Sequence, residues 1–497
     1  MTPDHLGRHD SWDGVRAVVA GFGVSGFAAA DNLNHLGASV TALDESDGGP
    51  GSDRPGKAEL LEVLGATVRL GEGATATLPD DVDLLVTSPG WKPSSPLLAQ
   101  ARARGIPIWG EVELAWRLRD PEHATPWLCV TGTNGKTTTV QMLDSILRAG
   151  GLRSVAVGNV GLPIVEAVMD PEPYDVLAVE LSSFQLHYTD SMSAESAAVL
   201  NIAEDHLDWY AGPTGMADYA ADKGRIYERV QRACVYNVAD PETERLVRDA
   251  DVMEGARAIG FTLGMPGVGM LGVVDDILVD RAFIEQRDTS AAELCTLADL
   301  ALEGQDGPAP HFVANALAAA ALARSHGVSQ AAVRDGLRSF RPDGHRIATV
   351  AQIDGVTWVD DSKATNPHAA RSSLQAYDPV VWVAGGLAKG ASFDDLVLTV
   401  RERLRGVVLL GRDRDLIAEA LSRHAPDVPV IAVGGDETGT VGAVHDSMER
   451  VVEAAAALAR PGDTVLLAPG CASMDMFANY AERGDAFVAA VRRRQAP

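Results

Sequence analysis

The sequence is poor in cysteine and lacks long apolar runs, and both shortages exclude whole classes of protein. Its four cysteines, Cys129, Cys234, Cys295 and Cys471, lie far apart, so neither a disulfide framework nor a zinc knuckle is indicated. No apolar run reaches the ~18 residues that span a bilayer, and residues 1–14 lack the apolar core of a signal peptide. We therefore expect a cytoplasmic protein in a reducing compartment that does not insert into a membrane.

Basic residues are also scarce, because 42 lysines and arginines stand against 69 aspartates and glutamates, giving a formal net charge of −27. Binding to nucleic acid or to an anionic membrane requires a cationic surface, so neither is an expected partner. The acidic surface most simply keeps the protein soluble, and local basic pockets can still bind anionic small molecules. The length of 497 residues predicts two to four domains.

Three segments combine an apolar β-type run with glycines and then a helical pattern, which is how α/β units begin. They are residues 15–21, 127–132 and 380–386. Further buried-strand candidates alternate with helical patterns: 83–87, 176–179, 197–201, 407–410 and 464–468. The alternation favours an α/β fold in which helices cover parallel sheets.

Two polar stretches with proline, 119–126 and 340–344, are candidate linkers. We therefore predict three domains, at residues 1–122, 123–341 and 342–497. The alanine-rich stretch 315–323 is too short to cross a membrane and predicts a buried helix. Residues 264–306 are weakly patterned, and either a β-rich excursion or a variable surface region fits them.

The strongest chemical signal follows the second apolar run. Glycines there let backbone N–H groups approach phosphate oxygens, and the start of the next helix favours negative charge. A lysine can reach the terminal phosphates, and a threonine hydroxyl can ligate Mg²⁺. The alternative, a plain glycine turn with a surface lysine, fits the strand–loop–helix context poorly. The candidate ATP-binding residues here are Gly132, Thr133, Asn134, Gly135, Lys136, Thr137 and Thr138.

A second glycine loop at residues 21–26 matches the dinucleotide fingerprint, and Asp44 ends the following strand candidate about 20 residues later. The loop contains Gly23, Val24 and Ser25. It indicates a nucleotide diphosphate at a helix N-terminus but does not separate NAD from a UDP-sugar. The alternative is that the glycines serve only tight packing of helix on strand.

Two further residues of the middle segment, Glu180 and His206, are candidates for metal chemistry, whereas Lys223 is not one from the residues alone. Glu180 ends a strand-like run, where a carboxylate can bind Mg²⁺, although it could also be an acid at a helix entry. His206 lies in an acidic loop after a strand, where ligation and a structural role are equally good explanations. Taken alone, Lys223 is best explained as a salt-bridging lysine on an amphipathic helix.

The last third of the chain places polar clusters after strand candidates, which is where open α/β sheets bind ligands. Cations and small hydroxyl residues there suit an anionic ligand such as an amino-acid carboxylate, although turn chemistry explains each cluster equally well. The clusters are His345 with Arg346, and residues 360–366, 385–390 and 468–477.

Together these residues resemble the Mur ligases, which build the peptide stem of bacterial cell-wall precursors. The shared pattern is the loop before Lys136, then Glu180, His206, the helix at 315–319, His345, Arg346 and Asp361. Folylpolyglutamate synthases share it, so the pattern specifies the reaction more firmly than the substrate. Motifs at 181–186, 361–366 and 471–477 are similar to those of the branch that adds D-glutamate.

The resemblance implies three α/β domains: an N-terminal Rossmann-like domain that binds UDP, a central P-loop domain with a parallel sheet that binds ATP, and a C-terminal Rossmann-like domain that binds the amino acid. It also implies ATP as co-substrate, Mg²⁺ as cofactor, and UDP-N-acetylmuramoyl-L-alanine and D-glutamate as substrates. The expected enzyme is a monomer acting in the cytoplasmic stage of peptidoglycan synthesis.

The resemblance assigns roles by position. The catalytic residues are Lys136, Glu180, His206 and Lys223, and the metal ligands are Thr137, Glu180, His206 and a carbamylated Lys223. ATP also contacts Asn315, Arg346, Asp361 and Lys363. The UDP-linked substrate contacts Gly23, Val24, Ser25, Asp44, Ser88, Gly90, Asn159, Ser182 and Gln185. D-glutamate contacts Thr365, Lys389, Ser473, Met474 and Tyr480. The chain departs from the family at Phe312, where asparagine is frequent, and at Tyr480, where phenylalanine is common.

Three alternatives remain open at this point. The first is another ligase of the superfamily, which adds L-alanine or extends folate with glutamate. The second is an NAD-dependent oxidoreductase that uses the loop at 21–26 and Asp44, although this leaves the loop before Lys136 unexplained. The third is a nucleotide-binding regulator without catalytic activity.

Overall fold

A computed structural model describes residues 3–48, 52–210, 212–301, 307–342, 344–434 and 441–495, and these residues form three β-sheets. The N-terminal sheet has the order β3-β2-β1-β4-β5, and all of its strands are parallel. β1 and β4 are almost wholly apolar and buried because helices cover both faces of the sheet. The strands are β1 Arg16–Ala20, β2 Ser39–Asp44, β3 Thr67–Leu70, β4 Leu84–Thr87 and β5 Ile108–Gly110. The helices are α1 Val24–His35, α2 Arg54–Val63, α3 Pro96–Ala103 and α4 Glu111–Arg117.

The central sheet has the order β14-β13-β12-β11-β10-β9-β6-β8-β7. It is parallel from β7 to β12 and antiparallel through β13 and β14. The strands are β6 Trp127–Thr131, β7 Ser154–Gly158, β8 Val176–Glu180, β9 Ser196–Val199, β10 Ala233–Asn237, β11 Arg257–Phe261, β12 Met270–Val274, β13 Ile277–Asp280 and β14 Ala292–Thr296. The helices are α5 Lys136–Ala149, α6 Ile164–Met169, α7 Ser183–His187, α8 Gly215–Gly224, α9 Pro241–Asp249, α10 Pro310–Ser325 and α11 Gln330–Ser339.

The C-terminal sheet has the order β15-β16-β20-β17-β18-β19, in which only the β15–β16 pair is antiparallel among the described strands. The strands are β15 Ala348–Ile353, β16 Val356–Asp360, β17 Val380–Gly385, β18 Leu404–Leu410, β19 Val430–Ala432 and β20 Thr464–Leu467. The helices are α12 Pro367–Leu374, α13 Asp394–Val400, α14 Arg414–His424, α15 Val441–Leu458 and α16 Tyr480–Gln495.

The predicted α/β class is confirmed, and every strand predicted from an apolar run is a strand with bounds shifted by a few residues. The alanine-rich stretch lies in α10, where it is buried as predicted. The weakly patterned stretch from residue 264 is β-rich, because β12, β13 and β14 form the antiparallel end of the central sheet. Its last residues, 302–306, lie outside the described residues.

The chain divides into two compact units. The first comprises Met1–Ile202, Ala217–Ala301 and Phe312–Phe340, and it carries the N-terminal and central sheets. The second comprises Ala203–Met216, Leu302–His311 and Arg341–Pro497, and it carries the C-terminal sheet. The domain boundaries after residues 122 and 341 stay predictions. Within the described ranges, no helix is both long enough and apolar enough to cross a membrane.

Candidate active site

The loop between β6 and α5 has the backbone of a phosphate-binding loop. Gly132 and Gly135 have φ values of 153° and 85°, which side-chain-bearing residues rarely adopt. Asn201, just after the neighbouring strand β9, accepts from the backbone N–H of Thr133 with its carbonyl oxygen and from that of Asn134 with Oδ1, both at 2.9 Å. The loop is therefore held open at the carboxyl end of the sheet, in front of the first turn of α5.

Asn315 of α10 lies directly against this loop. A Cβ atom added to Gly135 would collide with the Asn315 carboxamide, so the glycine leaves room for that side chain. Asn315 is buried. The family resemblance assigned Asn315 to ATP, and the structure brings it to the loop that carries Lys136.

Two lysines converge on the carbonyl oxygen of Gly132. Lys136 Nζ donates to it at 2.8 Å and to the Thr133 carbonyl at 2.9 Å, while Lys223 Nζ donates to it at 3.0 Å. Lys223 is only 2% exposed and lies 4.6 Å from the centroid of the Tyr219 ring. The sequence alone suggested a salt-bridging lysine on a helix surface, but this lysine is buried at the phosphate loop.

Glu180 ends β8 beside β6 and is 1% exposed. Its Oε1 accepts from Asn159 Nδ2 at 2.9 Å, and its Oε2 is buried without a hydrogen-bond partner among the described residues. A buried carboxylate oxygen without a partner is costly unless a cation binds it. Together with the hydroxyl of Thr137 at the start of α5, this donor set fits Mg²⁺, which prefers oxygen ligands.

The two remaining predicted metal ligands need separate description. His206 belongs to the second unit, where its Nε2 lies 3.6 Å from Asp205 Oδ2. As an ammonium, Lys223 would not ligate a metal. Among the described residues, no group of three or more His, Cys, Asp or Glu side chains is arranged to hold a metal ion. The metal ligands therefore stay a prediction.

The first glycine loop opens into a cleft of about 730 Å³ at the carboxyl end of the N-terminal sheet. Six of the residues predicted to contact the UDP-linked substrate line this cleft: Gly23, Val24, Ser25, Asp44, Ser88 and Gly90. Ser88 Oγ is buried without a partner within the described chain. Asp44 Oδ2 accepts from the Phe22 backbone N–H at 2.6 Å, so it orders the glycine loop.

The cleft also holds three residues that the sequence did not reveal. Arg54, Trp91 and Lys92 line it, and Arg54 lies 3.4 Å from Asp44 Oδ1. Arg54 and Lys92 carry positive charge at a site suited to a diphosphate. Residues 49–51, which precede Arg54 in the chain, lie outside the described residues.

Asn159, Ser182 and Gln185 were also predicted to contact the UDP-linked substrate. Ser182 and Gln185 form a capping box at the start of α7, with the Gln185 N–H donating to Ser182 Oγ at 3.2 Å and the Ser182 N–H to Gln185 Oε1 at 2.9 Å. Asn159 is exposed and is fixed by its bond to Glu180. Their roles in binding stay predictions.

In the second unit, three loops follow the adjacent strands β16, β20 and β17 at the carboxyl end of the C-terminal sheet. They carry residues 361–366, 468–474 and 386–390. The loops touch, because Leu387 and Ala472 exchange backbone hydrogen bonds at 2.9 Å and the Gly470 N–H donates to the Ala364 carbonyl at 2.8 Å. These loops therefore bring together Thr365, Lys389 and Ser473, which the family resemblance assigned to D-glutamate.

The two lysine ammonium groups at this end of the sheet each contact another side chain of the second unit. Lys389 Nζ donates to Asp205 Oδ1 at 2.9 Å, and Lys363 Nζ lies 4.9 Å from the centroid of the Tyr480 ring. Burial raises the pKa of Asp361 to about 7, although the Ser373 hydroxyl and Arg346 act in the opposite direction. Met474 is 68% exposed.

Comparison with known proteins agrees with this arrangement. Residues 15–110 match the N-terminal domain of MurD-like Mur ligases, residues 130–323 the Mur ligase middle domain, and residues 345–471 the glutamate ligase domain of Mur ligases. The chain belongs to the Mur ligase family of ATP-dependent ligases. The family predicted from the motifs is therefore confirmed, and an oxidoreductase or a regulator without catalytic activity is not supported.

Curated relatives match nearly the whole chain. The chain is 61% identical to UDP-N-acetylmuramoylalanine--D-glutamate ligase of Streptomyces avermitilis, over 97% of this chain and 99% of that one. It is 47% identical to the ligase of the same name from Mycolicibacterium smegmatis, over 96% and 97%. UDP-N-acetylmuramate-alanine ligase of Thermotoga maritima shares the fold, with a TM-score of 0.55, 18% identity, and coverage of 97% and 99%.

Proposed function

We propose that the protein joins D-glutamate to UDP-N-acetylmuramoyl-L-alanine, with cleavage of ATP to ADP and phosphate. The observation that carries this proposal is the identity of 61% with a D-glutamate ligase over nearly the full length of both chains. Each of the three substrates has a candidate site: the phosphate loop, the cleft at the first glycine loop, and the loops at the carboxyl end of the C-terminal sheet.

In the proposed reaction, a carboxylate oxygen of the alanyl group attacks the γ-phosphorus of ATP. The products of this step are an acyl phosphate and ADP. The amine of D-glutamate then attacks the acyl carbon, loses a proton, and phosphate leaves with one oxygen of the original carboxylate. The chain must hold three substrates in line and exclude water from the acyl phosphate, which is mainly a problem of positioning and charge neutralisation.

The phosphate loop suits the ATP end of this reaction. The backbone N–H groups at the start of α5 and the ammonium of Lys136 neutralise phosphate charge. The ammonium now donates to two carbonyl oxygens of its own loop, so a phosphate would have to replace those acceptors. Thr137 and Glu180 would hold Mg²⁺, which when bound neutralises charge on the transferred phosphoryl group.

Lys223 and His206 complete the proposed metal chemistry. Carbamylation of Lys223 by CO₂ would replace its ammonium with a carbamate that can ligate a cation. The burial of Lys223 at the phosphate loop supports this role, because an unmodified ammonium there lies on the same carbonyl oxygen as the Lys136 ammonium, and the two like charges repel each other. We assign His206 to the second metal position by family resemblance.

D-glutamate is assigned to the three loops at the carboxyl end of the C-terminal sheet. Lys389 would bind a substrate carboxylate in place of Asp205, and Thr365, Ser473, Met474 and Tyr480 would complete its surroundings. Arg346, Asp361 and Lys363 of this unit are assigned to ATP. We further propose that the enzyme acts as a monomer in the cytoplasm.

The test is ADP release from UDP-N-acetylmuramoyl-L-alanine and ATP with a panel of D-glutamate, L-glutamate, glycine and L-alanine. We expect release with D-glutamate and no more than background with the other three. Equal rates with all four amino acids would remove the substrate assignment. A reduced folate with L-glutamate is the control for the folate-extending alternative, and it should give no ADP.

A further inference from the structure

Helix α4 carries two buried glutamates that belong to neither the phosphate loop nor the UDP cleft. Glu111 and Glu113 are 3% and 1% exposed. Glutamate is almost never fully buried unless it is paired or hydrogen-bonded. The helix follows β5, the edge strand of the N-terminal sheet, but most partners of the two carboxylates come from segments of the central sheet.

Glu111 caps the start of α6. Its Oε1 accepts from the backbone N–H of Val165 at 2.7 Å. Burial raises the pKa of Glu111 to about 7, the N–H groups of Val165 and Ile164 oppose this, and Glu166 of α6 raises it further. Glu166 in turn lies close to Asp31 of α1 and Lys57 of α2.

Glu113 anchors the same helix at a second point. Its Oε2 accepts from the backbone N–H groups of Asp190 and Ser191 at 2.8 and 2.9 Å, and its Oε1 accepts from Ser191 Oγ at 2.7 Å and Arg117 Nε at 2.6 Å. Burial alone would raise the pKa of Glu113, but these hydrogen bonds lower it overall. Glu113 is thus a fully bonded carboxylate that ties α4 to the segment after α7.

The UDP cleft is connected to the same helix. The backbone N–H of Gly110, which precedes Glu111, donates to the Tyr188 carbonyl at 2.9 Å, and a Cβ at Gly110 would lie only 3.2 Å from the Tyr188 Cβ. The Tyr188 hydroxyl donates to the carbonyl of Trp91 at 3.0 Å, and Trp91 lines the cleft. A change in the position of α4 therefore reaches the wall of the cleft.

On its other side, α4 is connected through α6 to the loop that carries Asn159. This loop leads directly into α6, and it passes so close to the Glu180 carbonyl that a Cβ at Gly158 would collide with that oxygen. The Asn159 backbone N–H donates to that carbonyl at 2.9 Å, while its side chain donates to the Glu180 carboxylate. A shift of α6 therefore changes how Asn159 faces a substrate.

We propose that Glu111 is a positioning residue for the UDP-linked acceptor, because it fixes α6 and the Asn159 loop relative to the UDP cleft, with Glu113 anchoring the same helix. The inference rests on the proposed function. The acceptor is held at its UDP end and must react at its far end. Its placement therefore depends on the distance between the glycine loop of the UDP cleft and the loop that carries Asn159.

The experiment compares Glu111→Ala and Glu111→Gln with Glu62→Ala, a matched control at an exposed glutamate of α2. At pH 8.5, above the pKa of Glu111, the KM for UDP-N-acetylmuramoyl-L-alanine should rise about tenfold in Glu111→Ala, the size expected for loss of a charge-assisted hydrogen bond. Glu111→Gln keeps one acceptor oxygen, so its KM should rise only about threefold. The dissociation constant of UDP alone, measured by calorimetry, and the KM for ATP should stay within about twofold in both variants.

The separation of these constants is the decisive result. A merely structural role would weaken the binding of UDP, ATP and acceptor together. Equal changes in all three constants, or an unchanged acceptor KM, would overturn the proposal. If Glu111→Ala does not fold, the threefold effect of Glu111→Gln remains the criterion. Absence of ADP release by the wild type marks failure of the proposed function, whereas normal release with an unchanged acceptor KM in the variants marks failure of the positioning role alone.

Discussion

The substitution Glu180→Gln should separate activity from stability. Glu180 Oε1 keeps its partner Asn159 in the variant, while the buried Oε2, which has no partner in the described chain, is replaced by an uncharged amide nitrogen. A buried polar group without a partner costs about 1–3 kcal/mol, and more when it is charged. Removing the charge should therefore leave the unliganded protein as stable as the wild type, or more stable by about 1 kcal/mol. Loss of a metal ligand should lower kcat at least about a hundredfold.

A matched control with the opposite expectation is Glu195→Gln. Glu195 is also buried, but its Oε1 bonds to His326 Nδ1 at 2.8 Å and lies 3.4 Å from Arg232 Nη1. This variant should lose about 1–3 kcal/mol of stability, because a charge-assisted pair is broken, and it should retain its turnover. The assays are urea unfolding without ligands, ADP release, and the rise in thermal midpoint caused by Mg²⁺ with ATP. If Glu180→Gln keeps normal turnover, or is destabilised as Glu195→Gln is, the metal role of Glu180 is refuted.

Three further predictions follow from individual contacts. Lys136→Ala should abolish ADP release while calorimetric binding of UDP is retained, because the phosphate loop and the UDP cleft lie on different sheets; loss of both in a folded variant would contradict this. Lys389→Ala should raise the KM for D-glutamate at least about tenfold, through loss of one charge-assisted bond, and leave the KM for UDP-N-acetylmuramoyl-L-alanine unchanged; an unaltered D-glutamate KM argues against the assignment. The raised pKa of Glu111 means that the folded state binds the proton of this carboxyl more tightly than the unfolded state does. The stability of the wild type relative to Glu111→Gln should therefore decrease by up to about 3 kcal/mol as the pH rises from about 5 to 8. If the urea midpoints of the two proteins move in parallel over this range, Glu111 does not titrate there.

The features that could be predicted from the sequence are those encoded locally. An apolar run, glycines and a helical pattern lie within about 20 residues of each other at the loops before Lys136 and Ser25, so both anion-binding loops could be located. The alternation of apolar runs with helical patterns also predicted the parallel sheets. The antiparallel end of the central sheet was left open between two structures, because strands β12 to β14 have no clear alternation of apolar and polar residues.

The features that could not be predicted depend on contacts between distant segments. Glu111 and Glu113 look like exposed acids at a helix start, but both accept hydrogen bonds from backbone N–H groups more than 50 residues away along the chain. Lys223 has the surroundings of an amphipathic helix in sequence, yet it reaches the Gly132 carbonyl across 91 positions. Arg54 belongs to no motif and reaches the UDP cleft because α2 begins beside Asp44.

The most direct measurement of the central claim follows oxygen from substrate to product. UDP-N-acetylmuramoyl-L-alanine labelled with ¹⁸O in its carboxylate is incubated with the enzyme, ATP and D-glutamate, and the released phosphate is analysed by mass spectrometry. If the phosphate loop at Lys136 directs ATP to phosphorylate that carboxylate, each phosphate formed carries one ¹⁸O atom. Unlabelled phosphate released together with the amide product would contradict the acyl-phosphate route and the role assigned to this loop.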